Sequence, residues 1–229
     1  MSGALLFDLD GTLVDADHLH HEAWSRTLAP FGVEIGVARY RSEIMGFPND
    51  MILGRLVPDL PRERTLALAG EKEVLFRALA TELEPATGLV AFLDWLDARG
   101  ARYGVVTNAP RANAEQELAG IGLADRFEVV VIGDELAHPK PHPLPYLTGL
   151  ERLGAVAGRS LAFEDSLSGL RSARAAGLAV VGLTTGLSAE RLLEEGAALA
   201  VPHFADARLK AFVAERLDGR DASAAAAQA

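Results

Sequence analysis

Two aspartates separated by one residue, Asp8 and Asp10, close the first apolar run of the chain and lead into Gly11-Thr12. Three further apolar runs also end in groups able to do chemistry. These are Thr107-Asn108, then Gly133-Asp134 followed by His138-Pro139-Lys140-Pro141, and finally Glu164-Asp165-Ser166. In an open parallel sheet, ligands sit beyond the carboxyl ends of the strands, so these groups would collect on one rim as several carboxylates, a hydroxyl and an ammonium. Carboxylates that close repel one another, and some would protonate unless a cation intervened. Magnesium meets that need. It keeps octahedral oxygen coordination, retains waters and is usually held by one or two carboxylates plus substrate phosphate, which suits Asp8 with Asp165. The rim therefore calls for a divalent ion and a phosphate-bearing partner. Only three of the 22 basic residues are lysines, Lys72, Lys140 and Lys210, so Lys140 reads as a position chosen for a compact charge.

The elements that must position these groups follow from the apolar runs. Ala4 to Phe7, Tyr103 to Val106, Val129 to Ile132, Ser160 to Phe163, Ala179 to Leu183 and Leu199 to Val201 have strand length and are separated by helix-like stretches. They lack polar alternation, as parallel strands covered on both faces do. The expected fold class is α/β, a doubly wound parallel Rossmann-like sheet. Between Asp15 and about Pro85 the rhythm changes to helix after helix. Leu19, Trp24 and Leu28 mark one helix, Ile52, Leu53 and Leu56 a second, and Leu68, Val74, Leu75, Leu79 and Leu83 a long third, with Pro58, Pro61 and Pro85 between or beyond them. This predicts a helical insert over residues 15–84, with the sheet domain over 1–14 and 85–220. The sheet domain resumes with a helix from Leu89 to Arg99 closed by Gly100, and the low-complexity stretch 221–229 reads as a frayed tail.

Composition removes other classes. In 229 residues, 22 Lys and Arg stand against 32 Asp and Glu, a net charge of -10, which gives nucleic acid and anionic lipid no general attraction. There are no cysteines, so disulfides, thiolate nucleophiles and Cys-based metal sites are excluded. No apolar run reaches the roughly 20 residues that span a bilayer, and the first residues lack a basic n-region. A cytoplasmic protein without a membrane partner is expected. The Gly-x-x-x-x-Gly-Lys-Ser/Thr loop, the Gly-x-Ser-x-Gly elbow and the His-Glu-x-x-His pair are all absent.

Leu5-Leu6-Phe7-Asp8-Leu9-Asp10-Gly11-Thr12 resembles the first motif of the haloacid dehalogenase superfamily, Asp-x-Asp-Gly-Thr after an apolar strand. The other motifs follow in order: Thr107, Lys140 33 residues on, and Glu164-Asp165 a further 24 and 25 on, a likeness that runs to about residue 218. The resemblance implies a magnesium-dependent phosphomonoesterase. In it Asp8 is the nucleophile that forms an aspartyl phosphate, and Asp10 is the acid and base. Thr107, with backbone amides near Leu9, Asn108 and Ala109, would bind phosphoryl oxygens together with Lys140. Asp8, Asp10, Glu164 and Asp165 would hold Mg2+. The insert resembles the helical cap of β-phosphoglucomutases and small sugar-phosphate phosphatases, which implies a small sugar-like or polyol phosphate as substrate and a monomer or weak homodimer.

Two departures separate the chain from the mutases. Where they carry an Arg for a second phosphate, it reads Phe47-Pro48-Asn49-Asp50, and it has Thr12, which they commonly lack. Asp10 argues against a dehalogenase, which has no leaving oxygen to protonate. A non-catalytic phosphoacceptor module would be near 120 residues and uncapped. Blander readings stand beside these. Asp8 and Asp10 could form a turn or calcium loop, although an EF-hand needs Gly at its sixth position and Gly11 is the fourth. Thr107-Asn108 could be a turn, and Asp165-Ser166 a helix cap. His20, Trp24, Met45, Asn49 and Lys72 are the candidate substrate contacts of the cap. Even so, His18, His20 and His21 read as a solvated or substrate-facing helix with no second metal, Trp24 as insert core, and Lys72 as a solvated helix residue.

Overall fold

The computed structural model describes residues 3–217. The tail expected over 221–229 lies outside them. The chain opens with β1 (Ala4–Phe7) and passes into four helices, α1 (Asp17–Leu28), α2 (Val37–Glu43), α3 (Asn49–Leu56) and α4 (Arg62–Leu79). It returns through α5 (Leu89–Asp97), β2 (Arg102–Thr107), α6 (Arg111–Gly120), β3 (Val129–Ile132) and α7 (Leu144–Arg152). It continues through β4 (Leu161–Glu164), α8 (Leu167–Ala175), β5 (Ala179–Leu183), α9 (Ala189–Glu194), β6 (Leu199–Val201) and α10 (Ala207–Leu217). The strands form one sheet in the order β3-β2-β1-β4-β5-β6, with every pairing parallel.

This is the doubly wound sheet expected from the apolar runs, with its topological switch between β1 and β4. Leu5 pairs with Tyr103 on one side and Leu161 on the other, and the Asp8 amide donates to Phe163 O at 2.9 Å. Asp8 and Glu164 are thus brought to neighbouring strand ends. Side chains alternate between the two faces. Leu5, Phe7, Val105 and Phe163 meet Phe92 and Phe204 on one face, while Leu6, Val106 and Ala162 meet Tyr146 and Leu170 on the other. Phe7 stacks on Phe163 with centroids 4.5 Å apart, and burying each such ring is worth roughly 1.5 to 3 kcal/mol.

β2 extends one residue beyond the expected run at each end, and β4 is shifted forward by one. The shift has a polar cause. Ser160 closes the preceding turn, donating to Val156 O at 2.8 Å and accepting from the Ala4 amide at 3.0 Å, so pairing begins at Leu161 and Glu164 becomes a strand residue.

The four helices build their own small core from Trp24, Leu28, Ile44, Ile52, Leu53 and Leu68. Three details differ from the sequence reading. α2 was not expected as a helix. α4 ends at Leu79, leaving Leu83 beyond it, and Val74 is 60% exposed. The buried face of α4 instead carries Leu68, Lys72, Glu73 and Phe76, so two charged residues occupy positions that an apolar stripe would have filled. The α5 helix stops at Asp97, before the expected Arg99. Where the chain leaves and re-enters the sheet domain, Val14 bridges Pro85 and the Ala86 amide donates to Leu13 O at 2.8 Å. Among the described residues, no helix is long and apolar enough to cross a membrane.

Candidate active site

A cavity of about 640 Å³, open to solvent on one side, lies between the rim of the sheet and the cap, and its floor is made of strand ends. The turn after β1 is tight because Leu9 O accepts from Leu13 N at 2.8 Å, and Gly11 takes φ 70°, where a side chain would be strained. A Cβ on Gly11 would also collide with the Asp165 carboxylate. Glycine is thus required for the Asp8–Asp10 turn to close against the end of β4.

On that floor the Lys140 Nζ donates to Asp8 Oδ1 at 2.7 Å and to Glu164 Oε1 at 2.6 Å. Tyr146 OH also donates to Glu164 Oε1, and Ser166 Oγ donates to Oε2 at 3.3 Å. Ser166 caps α8, accepting from the Gly169 amide at 3.1 Å, and a Cβ on Gly169 would collide with Glu164. Glu164 is in effect the anchor of Lys140. Burial would lower the Lys140 ammonium, but Asp8 and Glu164 outweigh it and raise the group above its usual value. The Asp8 carboxyl is pushed up to about 8, by burial first and then by Glu164, against the pull of Lys140. Asp165 is raised well above the usual range by burial and then by Asp17 and Asp8, and its buried Oδ2 has no hydrogen-bond partner among the described residues. Asp8, Glu164 and Asp165 each bring a carboxylate oxygen within 4.8 Å of the others. An orphaned buried oxygen among three packed carboxylates fits a hard cation.

The Asp10 side chain turns the other way, toward the cap. His20 Nε2 lies 2.9 Å from its Oδ1, and Lys72 Nζ lies 2.8 Å from His20 Nδ1. With an ammonium donating to Nδ1, the ring carries its proton on Nε2 and donates it to Asp10. The imidazole stacks on Phe76 at 3.7 Å, and the Lys72 ammonium sits 5.3 Å from the Trp24 ring and 5.4 Å from Phe76. Burial would raise the Asp10 carboxyl, but His20, then a hydrogen bond from the Glu117 carboxyl and then Lys72 outweigh it and hold it below the usual range. Glu117 on α6 packs beside the pair at 0% exposure with no donor on either oxygen, and burial followed by the Asp10 charge pushes its carboxyl well above the usual range.

Most of the residues expected at the site line this one cavity: Asp8, Asp10, Thr107, Asn108, Ala109, Lys140 and Asp165 below, and His20, Trp24, Met45, Asn49 and Lys72 above. Leu9 is buried beneath it. Some details correct the sequence reading. Lys72 is 2% exposed, not solvated, and Trp24 belongs to the cap core while also facing the cavity. Of the three histidines only His20 enters, since His18 is exposed and His21 lies 2.7 Å from Ile35 O. The Ala109 amide is taken by Thr107 Oγ1 at 2.9 Å. The Asn108 side chain binds Lys140 N at 3.0 Å, Lys140 O at 3.1 Å and Gly46 O at 3.2 Å, tying the lysine loop to the cap.

Glu73, Asn113 and Glu117 were missed. Asn113 and Glu117 do carry a signal, because they stand four apart on a helix whose adjacent positions Ala114 and Leu118 are core.

The family described as haloacid dehalogenase-like hydrolase matches residues 5–183. The chain is 31% identical over 204 residues to a phosphorylated carbohydrates phosphatase of Thermotoga maritima, covering 86% of this chain and 93% of that one. It is 35% identical over 176 residues to a phosphoglycolate phosphatase of Xylella fastidiosa, covering 76% of each. Among solved structures it is similar to CbbY from Rhodobacter sphaeroides in complex with xylulose-(1,5)bisphosphate, with TM-score 0.79 and 27% identity over 90% of this chain and 96% of that one.

Proposed function

The chain belongs to the haloacid dehalogenase-like hydrolases, and on that premise we propose that it is a magnesium-dependent phosphomonoesterase acting on a small sugar-like or polyol phosphate through an aspartyl-phosphate intermediate. It is a phosphatase of small phosphorylated substrates. The observation that carries the finer reading is the Asp8–Lys140 contact of 2.7 Å on the floor of a capped cavity, beside the unpartnered oxygen of Asp165.

Asp8 and Asp165 would hold the magnesium ion, and Glu164, committed to Lys140, Tyr146 and Ser166, would stand behind them. Bound there, the ion supplies positive charge that keeps Asp8 ionised and offsets the charge of the phosphoryl oxygens. An Asp8 oxygen attacks phosphorus as the bond to the leaving oxygen breaks, and Asp10 gives that oxygen its proton. Entry of a dianionic phosphoryl group beside Asp10 raises its proton affinity, which suits the acid half of the cycle. Water then attacks the phosphorus of the Asp8 acyl phosphate while Asp10 takes its proton, releasing phosphate and restoring both carboxyls. Lys140 steadies the charge throughout, and His20, donating to Oδ1, fixes how Asp10 is turned. The cap wall carries Asn49 and the Tyr40–Asp17 pair, joined at 2.9 Å, polar groups whose remaining lone pairs suit hydroxyls, which supports a polyol leaving group.

The test is phosphate release from p-nitrophenyl phosphate, with and without a chelator. Asp8→Asn is expected to abolish turnover while the fold is kept, because the amide retains the shape and loses the nucleophile. Turnover surviving in that variant, or unchanged wild-type turnover in excess chelator, would defeat the mechanism.

A further inference from the structure

Around the Lys72 ammonium, in the leaving-group half, the cavity is lined by two carboxylates, Asp10 and Glu73, with Asp17 further along toward Asp165, and among the described residues no arginine lines it. That ammonium is already committed. It donates to Glu73 Oε1 at 3.0 Å and to His20 Nδ1 at 2.8 Å, and aromatic rings flank it. Glu73 is in turn held in place, with Asn49 Nδ2 2.6 Å from Oε1 and Asn113 Nδ2 2.6 Å from Oε2. Asn113 is itself fixed by Arg77 at 2.7 Å. An incoming anion would meet Lys72 only with the Glu73 carboxylate beside it, in a buried setting where like charges are weakly screened.

We infer that this half of the cavity rejects a leaving group bearing a second negative charge, and that Glu73 is the residue that sets the preference by cancelling the cap's ammonium. The inference rests on the phosphomonoesterase reading above. Glu73 also lines a second, wider cavity of about 1310 Å³ together with Asp50, Asp134 and Arg77, whose guanidinium is engaged by Asn113. There the Asp134 carboxyl, open to solvent on one side, is pushed up to about 6 by desolvation on the other and then by the charges of Asp50 and Glu73. Glu73 itself stays ionised, because Lys72, His20 and Asn49 outweigh its burial and hold its carboxyl below the usual range.

Glycerol 3-phosphate and 3-phosphoglycerate make a matched pair, since one carries a hydroxymethyl where the other carries a carboxylate. The wild type is expected to favour glycerol 3-phosphate by about tenfold or more in kcat/KM, the scale of one uncompensated like-charge contact. Glu73→Gln should close most of that gap through a lower KM for 3-phosphoglycerate, with kcat on glycerol 3-phosphate changed far less. A merely structural role for Glu73 would impair both substrates together and leave their ratio alone. Thermal melts serve as the folding control. Should Glu73→Gln fail to fold, inhibition constants of the two esters against p-nitrophenyl phosphate in the wild type carry the test. Equal handling by the wild type, or an unmoved ratio in a folded Glu73→Gln, overturns the inference. Failure of the underlying reading looks different: the wild type would release no phosphate from either ester or from p-nitrophenyl phosphate.

Discussion

The two halves of the cavity are built in contrasting ways. The phosphoryl half is made of strand ends and the loops directly after them, so backbone pairing places Asp8, Thr107, Glu164 and Asp165, and Glu164 sets Lys140. The leaving-group half is assembled across a seam. Asp10 comes from the sheet domain, His20 from α1, Lys72 and Glu73 from α4, and Asn113 and Glu117 from α6. The first half is fixed by one sheet, whereas the second exists only while helices from separate parts of the chain stay packed together. The nucleophile and its ammonium therefore sit on the rigid half, whereas the setting of Asp10 and discrimination among esters belong to the half that depends on the cap.

The largest effect that would break this contrast is at Lys140. Lys140→Arg keeps the charge, but a planar fork cannot reach Asp8 and Glu164 from one point. We expect normal folding with a loss on the order of a hundredfold in kcat, typical of removing one preorganised electrostatic group. Near-wild-type turnover would mean that the phosphoryl half is not geometrically fixed.

A smaller effect separates the halves. His20→Ala removes the link between Lys72 and Asp10, and about a tenfold loss in kcat is expected, with the magnesium concentration for half-maximal activity unchanged. Asp165→Ala should do the reverse and raise the magnesium requirement. If His20→Ala shifts the magnesium titration as far as Asp165→Ala does, the two halves are not independent.

The smallest effect is on stability. Asp8 and Asp165 bind protons more tightly folded than unfolded, so the stability they contribute is complete below the ordinary value of 3.8. It is lost as pH rises toward and through the folded value, about 8 for Asp8. In chelator the wild-type Tm should fall by a few degrees across that window, and less in Asp165→Asn, where Asp8 has one like charge fewer. Magnesium should flatten the wild-type curve. A wild-type Tm in chelator that stays level across the window, or that falls no more steeply than it does with magnesium, would remove the charge-crowding argument for the cation.

The same contrast explains what the sequence made legible. Continuous apolar runs mark strands covered on both faces, and four of the six expected runs coincide with β1, β3, β5 and β6. Their ends then point to the phosphoryl half, because in such a sheet the strand end is itself the address. The cap offers no comparable address. Leu68, Val74, Leu75 and Leu79 trace a helical stripe, yet α4 turns Lys72 and Glu73 inward and leaves Val74 in solvent. A buried ion pair fed by amides from two other helices leaves no local apolar period for a sequence reading to follow. For the same reason Glu73 and Asn113 went unread, since each matters only through a residue distant in the chain, as in the contact between Asn113 and Glu73 across 40 positions.

The pairing of Val14 with Pro85, and of Ala86 with Leu13, makes the cap an excursion whose two ends lie one strand spacing apart. The cost of closing such a loop grows only slowly with its length, so the strand pairing itself tolerates changes in what is threaded between its ends. On the inference above, specificity would be carried on a replaceable cassette. A different set of helices joined at Leu13 and Ala86 would meet the same Asp8, Lys140 and Asp165, and would serve a new class of alcohol provided that it supplied a donor in place of His20 to hold Asp10.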